Sequence, residues 1–397
     1  MLTRFAIRLT RLQPALDVQN LHRGMNNEDA MAADANPTFS YEPNAMPVPA
    51  SERATRLIDP GFGRVFTDHM AVIRYSDEKG WHDAKITARA PLSMDPASSV
   101  LHYAQEIFEG MKAYRLADGG TALFRPEANA RRFQDSARRL AMPELPEALF
   151  LESIERLVKV DRDWIPESDG GSLYLRPFMI ASEVFLGVKP SSEYLYMVLA
   201  SSVGAYFKGG APTVSIWVSQ DYTRSAPGGT GAAKCGGNYA TSLVAQAEAI
   251  RNGCDQVVFL DAAERRYVEE LGGMNVFFVF ADGSLSTPPL TGTILPGITR
   301  DSILKLARAQ GIEVREQLYS IEQWRADAAS GTLVEAFACG TAAVVTPIGS
   351  VASPEGKFEI GGGGPGQLTM RMREALVAIQ RGTAPDTNGW LHHLDMG

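Results

Sequence analysis

The chain has 397 residues, 45% of them hydrophobic and 21% charged, with 38 basic side chains against 46 acidic ones. That length suffices for two or three domains with a large buried interior, and the composition excludes a disordered chain, a collagen and a disulfide-stapled miniprotein. The net charge of −8 disfavours nucleic-acid phosphate and anionic membrane as partners, and no run nears the roughly 20 apolar residues of a membrane-spanning helix.

Residues 1–24 set Arg4, Arg8, Arg11 and Arg23 against a single acid, Asp17, with apolar residues between them. The pattern fits a mitochondrial transit peptide, or a start codon upstream of a true one at Met25 or Met31. Residues 26–50 are polar and Pro-bearing, and residues 1–40 are expected to form a poorly ordered arm. A small domain is expected over 41–203. In it VFTDHMAVIRY alternates like strands, DGGTALF reads as a turn and a strand, and NARRFQDSARRLAM is helical, with Phe133, Ala137 and Leu140 on one stripe. SLYLRPFMIASEVFLGV and YLYMVLASSV read as strands joined by the turn residues KPSSE. The Gly-rich GAYFKGGAP at 204–212 marks an interdomain link to a larger domain over 213–397.

The larger part opens with the strand PTVSIWVS, a glycine-dense loop APGGTGAAKCGGNY and a helix ATSLVAQAEAIRN closed by Gly253. QVVFL, RRYVEEL and NVFFVF follow as strands. Thr299 is expected to cap a helix RDSILKLARAQ stopped by Gly311. LVEAFACGTAAVVTPIGSV reads as strand, tight turn and strand, LTMRMREALVAIQRG as the terminal helix, and His392–His393 as part of a mobile tail.

Cys235, Cys254 and Cys339 contain no CxxC and are odd in number, which points to a reducing compartment. The histidines show no paired-ligand spacing, so no metal is expected. Two glycine motifs fail as nucleotide cradles. GGTGAAKC lacks the Gly-Lys-Ser/Thr order of a P-loop. Gly361–Gly366 fits GxGxxG literally, yet Pro365 removes one N–H donor and too little chain follows for a βαβ unit.

Lys234 is the residue that carries chemistry. Apolar GAA precedes it, uncharged CGGNY follows, and a helix begins directly afterwards. An amine with reduced solvation can attack an aldehyde, the chemistry of a Schiff-base enzyme. A pyridoxal phosphate site needs three further parts: an acid for the pyridine nitrogen, a phosphate cup and a carboxylate reader. Glu269–Glu270 lies on an apolar strand that sends one carboxylate to each face. LPGITR supplies a helix N-terminus for phosphate, and CGTAA is a small-residue turn whose N–H groups can hold an anion.

GGNYATSLVAQAEAIRNGCDQVVFLDA, VEELGGMNVFF, LPGITR and CGTAA resemble, in order and rough spacing, the pyridoxal-phosphate aminotransferases of fold type IV, the branched-chain amino acid aminotransferases in particular. GFGRVFTDHM, LHYAQEIFEGMKAYR, LFRPEANARRF and SLYLRPF are similar to that family too, so the likeness runs from about residue 60 to residue 382. It implies an α+β, mixed α/β fold: a small N-terminal domain plus a larger pseudo-barrel domain that binds the cofactor. It also implies the reaction, in which L-leucine, L-isoleucine or L-valine gives its amino group to 2-oxoglutarate, yielding L-glutamate in a ping-pong cycle. Lys234 is then the Schiff-base lysine and proton shuttle, Glu270 the acid at the pyridine nitrogen and Tyr239 the partner of the cofactor's ring oxygen. Arg132, the Ile298 and Thr299 N–H groups and the Thr341 hydroxyl form the phosphate cup. On the substrate side, Tyr103 and the Thr341–Ala342 turn receive the α-carboxylate, while Phe108 and Tyr174 wall an apolar pocket. Arg176 takes the distal carboxylate of glutamate, and Val188 is lent by the partner subunit of a homodimer. Ala343 and Thr346 stand where mammalian members carry a redox CxxC, and Gly273 where some members have Thr. The expected location is the cytoplasm, or the mitochondrion if residues 1–24 are a transit peptide. The alternatives are another fold type IV reaction (D-amino acid transamination or aminodeoxychorismate lysis) and a non-catalytic phosphate-binding protein.

Overall fold

The computed structural model describes residues 36–168, 170–204 and 213–396. The basic N-terminal segment and most of the expected link at 204–212 therefore lie outside the described residues. Two mixed sheets organise the rest. The first contains β1 (Ser40–Tyr41), β2 (Val65–Phe66), β3 (His69–Ser76), β4 (Gly80–Ala88), β5 (Glu106–Phe108), β6 (Met111–Arg115), β7 (Thr121–Phe124), β8 (Ser172–Ala181) and β9 (Glu193–Val203). The second contains β10 (Val214–Ser219), β11 (Gln256–Leu260), β12 (Val268–Leu271), β13 (Asn275–Phe280), β14 (Leu285–Thr287), β15 (Val314–Glu316), β16 (Leu333–Gly340), β17 (Val344–Ser353) and β18 (Gly356–Glu359).

The main path of the second sheet runs β12-β11-β10-β17-β16-β13-β14-β15, and β12 also pairs with β13. That extra pairing closes six strands into a barrel, as the family resemblance leads one to expect. NVFFVF shows how a barrel strand is made. Phe277 and Val279 pack with the helices Ile298–Ala309 and Gln367–Gln380, whereas Val276, Phe278 and Phe280 pack with Trp324 on the other face. A strand buried on both faces reads as an unbroken apolar run.

The first sheet runs β1-β4-β3-β9-β8-β6-β7 and ends on β19 (Leu391–Leu394), with β2 on β9 and β5 on β8. Its core lies under the helices Pro126–Arg139 and Glu147–Val160, where Phe133, Phe150, Leu157 and Trp164 are buried. The closing strand β19 (Leu391–Leu394) pairs antiparallel with β7, so the last residues of the expected large domain complete the sheet of the small one. This corrects the reading of His392–His393 as a mobile tail. His392 Nδ1 lies 2.8 Å from Glu127 and Nε2 lies 2.9 Å from Glu155, which fastens the strand to both helices.

Other differences are local. Helix Ile298–Ala309 begins after Gly297, placing Thr299 inside its first turn rather than at the cap. The apolar stretch after Ala181 leaves the sheet except for a bridge between Ser98 and Val184. The discarded GxGxxG segment ends at Gly366, where a Cβ would lie 1.9 Å from Glu335. The Glu335 carboxylate accepts from the N–H groups of Leu368 and Thr369 at 3.0 and 2.8 Å, so the protein's own acid fills that helix start. The three cysteines are free and buried. Among the described residues no helix is long and apolar enough to cross a membrane.

Candidate active site

Helix Pro126–Arg139 shows how local sequence builds one wall of the site. Pro126 starts it, where a missing N–H costs nothing. Asn129, Arg132 and Ser136 then fall at i, i+3 and i+7, a buried polar stripe on the same helix face. Arg132 Nε and Nη2 donate to the two oxygens of Glu109 at 2.7 and 2.8 Å, and Nη1 donates to the Pro296 carbonyl at 3.1 Å. Asn129 gives Glu109 a third bond at 2.7 Å. Burial pushes the Glu109 carboxyl up, yet the Arg132 charge and its hydrogen bonds outweigh that and hold it below the ordinary range.

Ser136 carries the next link. Its Oγ accepts the Lys234 N–H at 2.9 Å, and the Lys234 carbonyl accepts from the Phe108 N–H at 3.0 Å. The lysine backbone is thus clamped between a helix and a strand. Buried Asn238 braces the loop by donating to the carbonyls of Thr230 and Ala233, both at 2.8 Å. Held this way, Lys234 Nζ donates to the Tyr239 hydroxyl at 2.8 Å and lies 4.8 Å from the centre of the Phe108 ring.

The acid lines the same cavity from β12. Glu269 and Glu270 are both buried, and alternation separates them. Thr293 donates its hydroxyl to Glu269, while Glu270 faces Arg224 at 2.8 Å and accepts the Leu295 N–H at 2.9 Å. Burial pushes the Glu270 carboxyl up to about 7, against the downward pull of Arg224 and Leu295. Next to it, helix Ile298–Ala309 starts without a side-chain cap at Gly297. The N–H groups of Ile298 and Thr299 lie in its first turn, where a helix supplies no carbonyl partner. Gly297 itself is required, since a Cβ there would meet Asn275 Oδ1 at 2.0 Å. Arg132, Lys234, Glu270, Ile298, Thr299 and Thr341 line one cavity. The Thr341 hydroxyl donates to the Gly110 carbonyl at 3.1 Å, and the Ala342 carbonyl accepts from Lys112 Nζ at 2.9 Å.

The facing wall comes from sheet register. Lys112 lies opposite Tyr174, and Phe108 opposite Phe178. Directly opposed residues share a face, and so do residues two apart. Phe108, Lys112, Tyr174 and Arg176 therefore point to the same side. The Arg176 guanidinium lies 4.7 Å from the Phe108 ring centre and donates from Nη2 to the Tyr174 hydroxyl at 2.9 Å, while its buried Nε has no hydrogen-bond partner among the described residues. Gly110 makes room for this wall, because a Cβ would sit 2.3 Å from the Tyr174 hydroxyl. Tyr103 and Val188 stay at the exposed margin, at 39% and 88% accessible. Tyr103 donates its hydroxyl to the Leu186 carbonyl, tying the margin together.

Sequence reasoning missed Glu109, Arg224 and Lys112. Glu109 had a signal, an acid inside an apolar strand segment, and Lys112 followed it by three residues. Arg224 sits in a loop, DYTRSAP, with nothing to mark it.

An amine, a buried arginine beside an open helix start, and a buried acid thus share one cavity. Comparison with known proteins gives that set its context. The family model for amino-transferase class IV matches residues 106–351. The chain is 57% identical over 359 residues to a probable branched-chain-amino-acid aminotransferase of Streptomyces coelicolor, covering 90% of this chain and 99% of that one. It is 55% identical over 361 residues to the branched-chain-amino-acid aminotransferase of Mycolicibacterium smegmatis, covering 90% and 98%. Among solved structures it is similar to the Escherichia coli branched-chain amino acid aminotransferase, with a TM-score of 0.67, 31% identity, and 82% and 100% of the two chains covered. It is also similar to the branched-chain amino acid aminotransferase of Thermobaculum terrenum in its PLP-bound holo-form, with a TM-score of 0.65, 26% identity, and 82% and 98% covered.

The chain belongs to the class IV aminotransferases, among their branched-chain-amino-acid members. Its cofactor is pyridoxal 5'-phosphate, and the residues present fit it: a buried arginine with an open helix start, a buried acid and the Lys234 amine line the same space.

Proposed function

We propose that the protein transfers the amino group of L-leucine, L-isoleucine or L-valine to 2-oxoglutarate, in the cytoplasm and as a homodimer. The observation that carries this reading is the shared cavity of Lys234, Arg132 and Glu270, with the Phe108 ring 4.8 Å from the Lys234 amine and Tyr174 and Arg176 on the same sheet face as Phe108. Bound pyridoxal phosphate supplies an aldehyde that condenses reversibly with amines and a ring that accepts charge from the α-carbon.

The chain's own residues do the rest. Arg132, the Ile298 and Thr299 N–H groups and the Thr341 hydroxyl would hold the phosphate, and a fork suits that dianion better than a lysine would. Tyr239 orients Lys234 Nζ and would face the ring oxygen. Lys234 Nζ would be the amine offered to that aldehyde and the base that holds and moves the α-proton. Glu270 would keep the ring nitrogen protonated, and the positive charge there would draw its carboxyl below the value of about 7 that burial imposes.

For the substrate, Tyr103 and the Thr341–Ala342 turn receive the α-carboxylate. Phe108 and Tyr174 enclose a branched side chain, and Arg176 takes the distal carboxylate of glutamate. Val188, exposed here, is offered to a second copy of the chain. The site draws on both the proposed small domain, 41–203, and the large one, 213–397.

The test is Lys234→Ala with a substrate panel. The variant is expected to keep its circular dichroism spectrum and lose steady-state transamination of L-leucine. Turnover retained in a folded variant would overturn the role of Lys234. Wild-type activity on D-alanine with none on L-leucine would overturn the substrate assignment.

A further inference from the structure

The proposed pocket must accept both an isobutyl group and a carboxylate, and one residue bears on that choice without having been assigned to it. Glu106 lies two residues before Phe108 on β5, on the face that carries Arg176. Its carboxylate accepts the N–H of Gly236, two residues after Lys234. The fit is tight, since a Cβ on Gly236 would lie 2.0 Å from Glu106 Oε1. The acid is therefore pinned between the lysine loop and the arginine. Burial pushes its carboxyl up, and the Gly236 N–H and the Arg176 charge offset only part of that rise. Arg176 in turn is stacked on Phe108 and keeps a buried Nε without an acceptor among the described residues, so they leave it room for one.

We propose that Glu106 is a specificity-determining residue: a fixed negative charge beside Arg176 that weighs against the distal carboxylate of an acidic substrate and leaves a neutral branched side chain unaffected. This rests on the reading that Arg176 receives the distal carboxylate. Two like charges sharing one guanidinium repel across a partly dry pocket, whereas an isobutyl group meets no such cost. The charge thus sets how tightly glutamate and 2-oxoglutarate compete with the branched substrates, and helps the acidic product leave.

The experiment measures KM for L-glutamate and L-leucine on the cofactor-loaded enzyme. Glu106→Gln keeps an acceptor for the Gly236 N–H and removes only the charge. It is expected to lower KM for glutamate by about 3–10-fold while KM for leucine moves by less than about two-fold. Equal changes in both, or a rise for glutamate, overturn the proposal. Arg176→Met separates the proposal from its premise. If that variant leaves KM for glutamate at the wild-type value, the reading of Arg176 is wrong. If Arg176→Met raises it but Glu106→Gln does not lower it, only the role of Glu106 is wrong. In the double variant the gain from Glu106→Gln is expected to vanish, and its persistence would overturn the proposal.

Discussion

Glu109→Gln probes the ion pair behind the proposed phosphate cup. Glu109 is fully inaccessible and accepts two bonds from Arg132, at 2.7 and 2.8 Å, and one from Asn129 at 2.7 Å. Glutamine keeps the shape and one acceptor oxygen, but turns an amide nitrogen toward a guanidinium that can only donate. Removing one partner of a buried pair costs about 3–5 kcal/mol, because the remaining charge is left uncompensated. The retained oxygen places the expected loss near the lower end, about 3 kcal/mol. The assay is denaturation of the cofactor-free protein across pH. Since Arg132 holds the Glu109 carboxyl below its ordinary 4.5, its stabilisation is present above that value and is lost as pH falls through the lowered one. The gap between wild type and variant is thus constant around neutrality and closes in acid. A second variant, Glu109→Leu with Arg132→Met, replaces the pair by apolar side chains. It is expected to recover most of the stability while losing phosphate affinity. A loss below about 0.5 kcal/mol in Glu109→Gln at neutral pH would refute the claim that Arg132 depends on Glu109.

Other perturbations address the acid and the turn. Burial raises the Glu270 carboxyl from 4.5 to about 7, so its contribution to stability is full below 4.5 and fades as pH rises through 7. Cofactor-free Glu270→Gln should lack that decline, worth about 3 kcal/mol in wild type, and the loaded variant should lose about 100-fold or more in kcat; parallel pH curves or near-normal turnover would contradict this. Burial, helped by the Arg381 charge, lowers Lys112 from 10.5 to about 7, so the unfolded chain binds more protons across that interval and wild-type stability climbs with pH there. Lys112→Met should flatten the climb and, by freeing the Ala342 carbonyl, raise KM for amino acids by about 3–10-fold, as thermal shifts and initial rates would report; an unchanged slope argues against a lowered amine at Lys112.

How much was legible in advance depended on range. NVFFVF, QVVFL and the turn at Gly340–Ala343 announced themselves because alternation, apolar runs and small residues act over a few positions. Lys234 stood out for the same reason, set in glycines before a helix. Arg132 did not separate from Arg131 by composition; only the helical phase sends one inward and leaves the other outside. Glu109 showed as an acid in an apolar segment, but its role did not, because that depends on a partner 23 residues away, and Arg224 was illegible because its contact with Glu270 crosses 46 positions of sequence. Thr299 misled as a cap because Gly297 starts the helix without a side chain. LHHL escaped notice as a strand because its pairing edge, Thr121–Phe124, lies far earlier in the chain.

That last pairing has a consequence for biosynthesis. The outer edge of β7, Thr121–Phe124, finds its partner only in Leu391–Leu394, far later in the chain. Until that segment is made, the nascent small sheet carries an open row of N–H and C=O groups, the kind of edge that invites pairing with another chain. Emergence of Leu391–Leu394, rather than of the first 200 residues, is when that vulnerability ends, and deleting the strand would make it permanent.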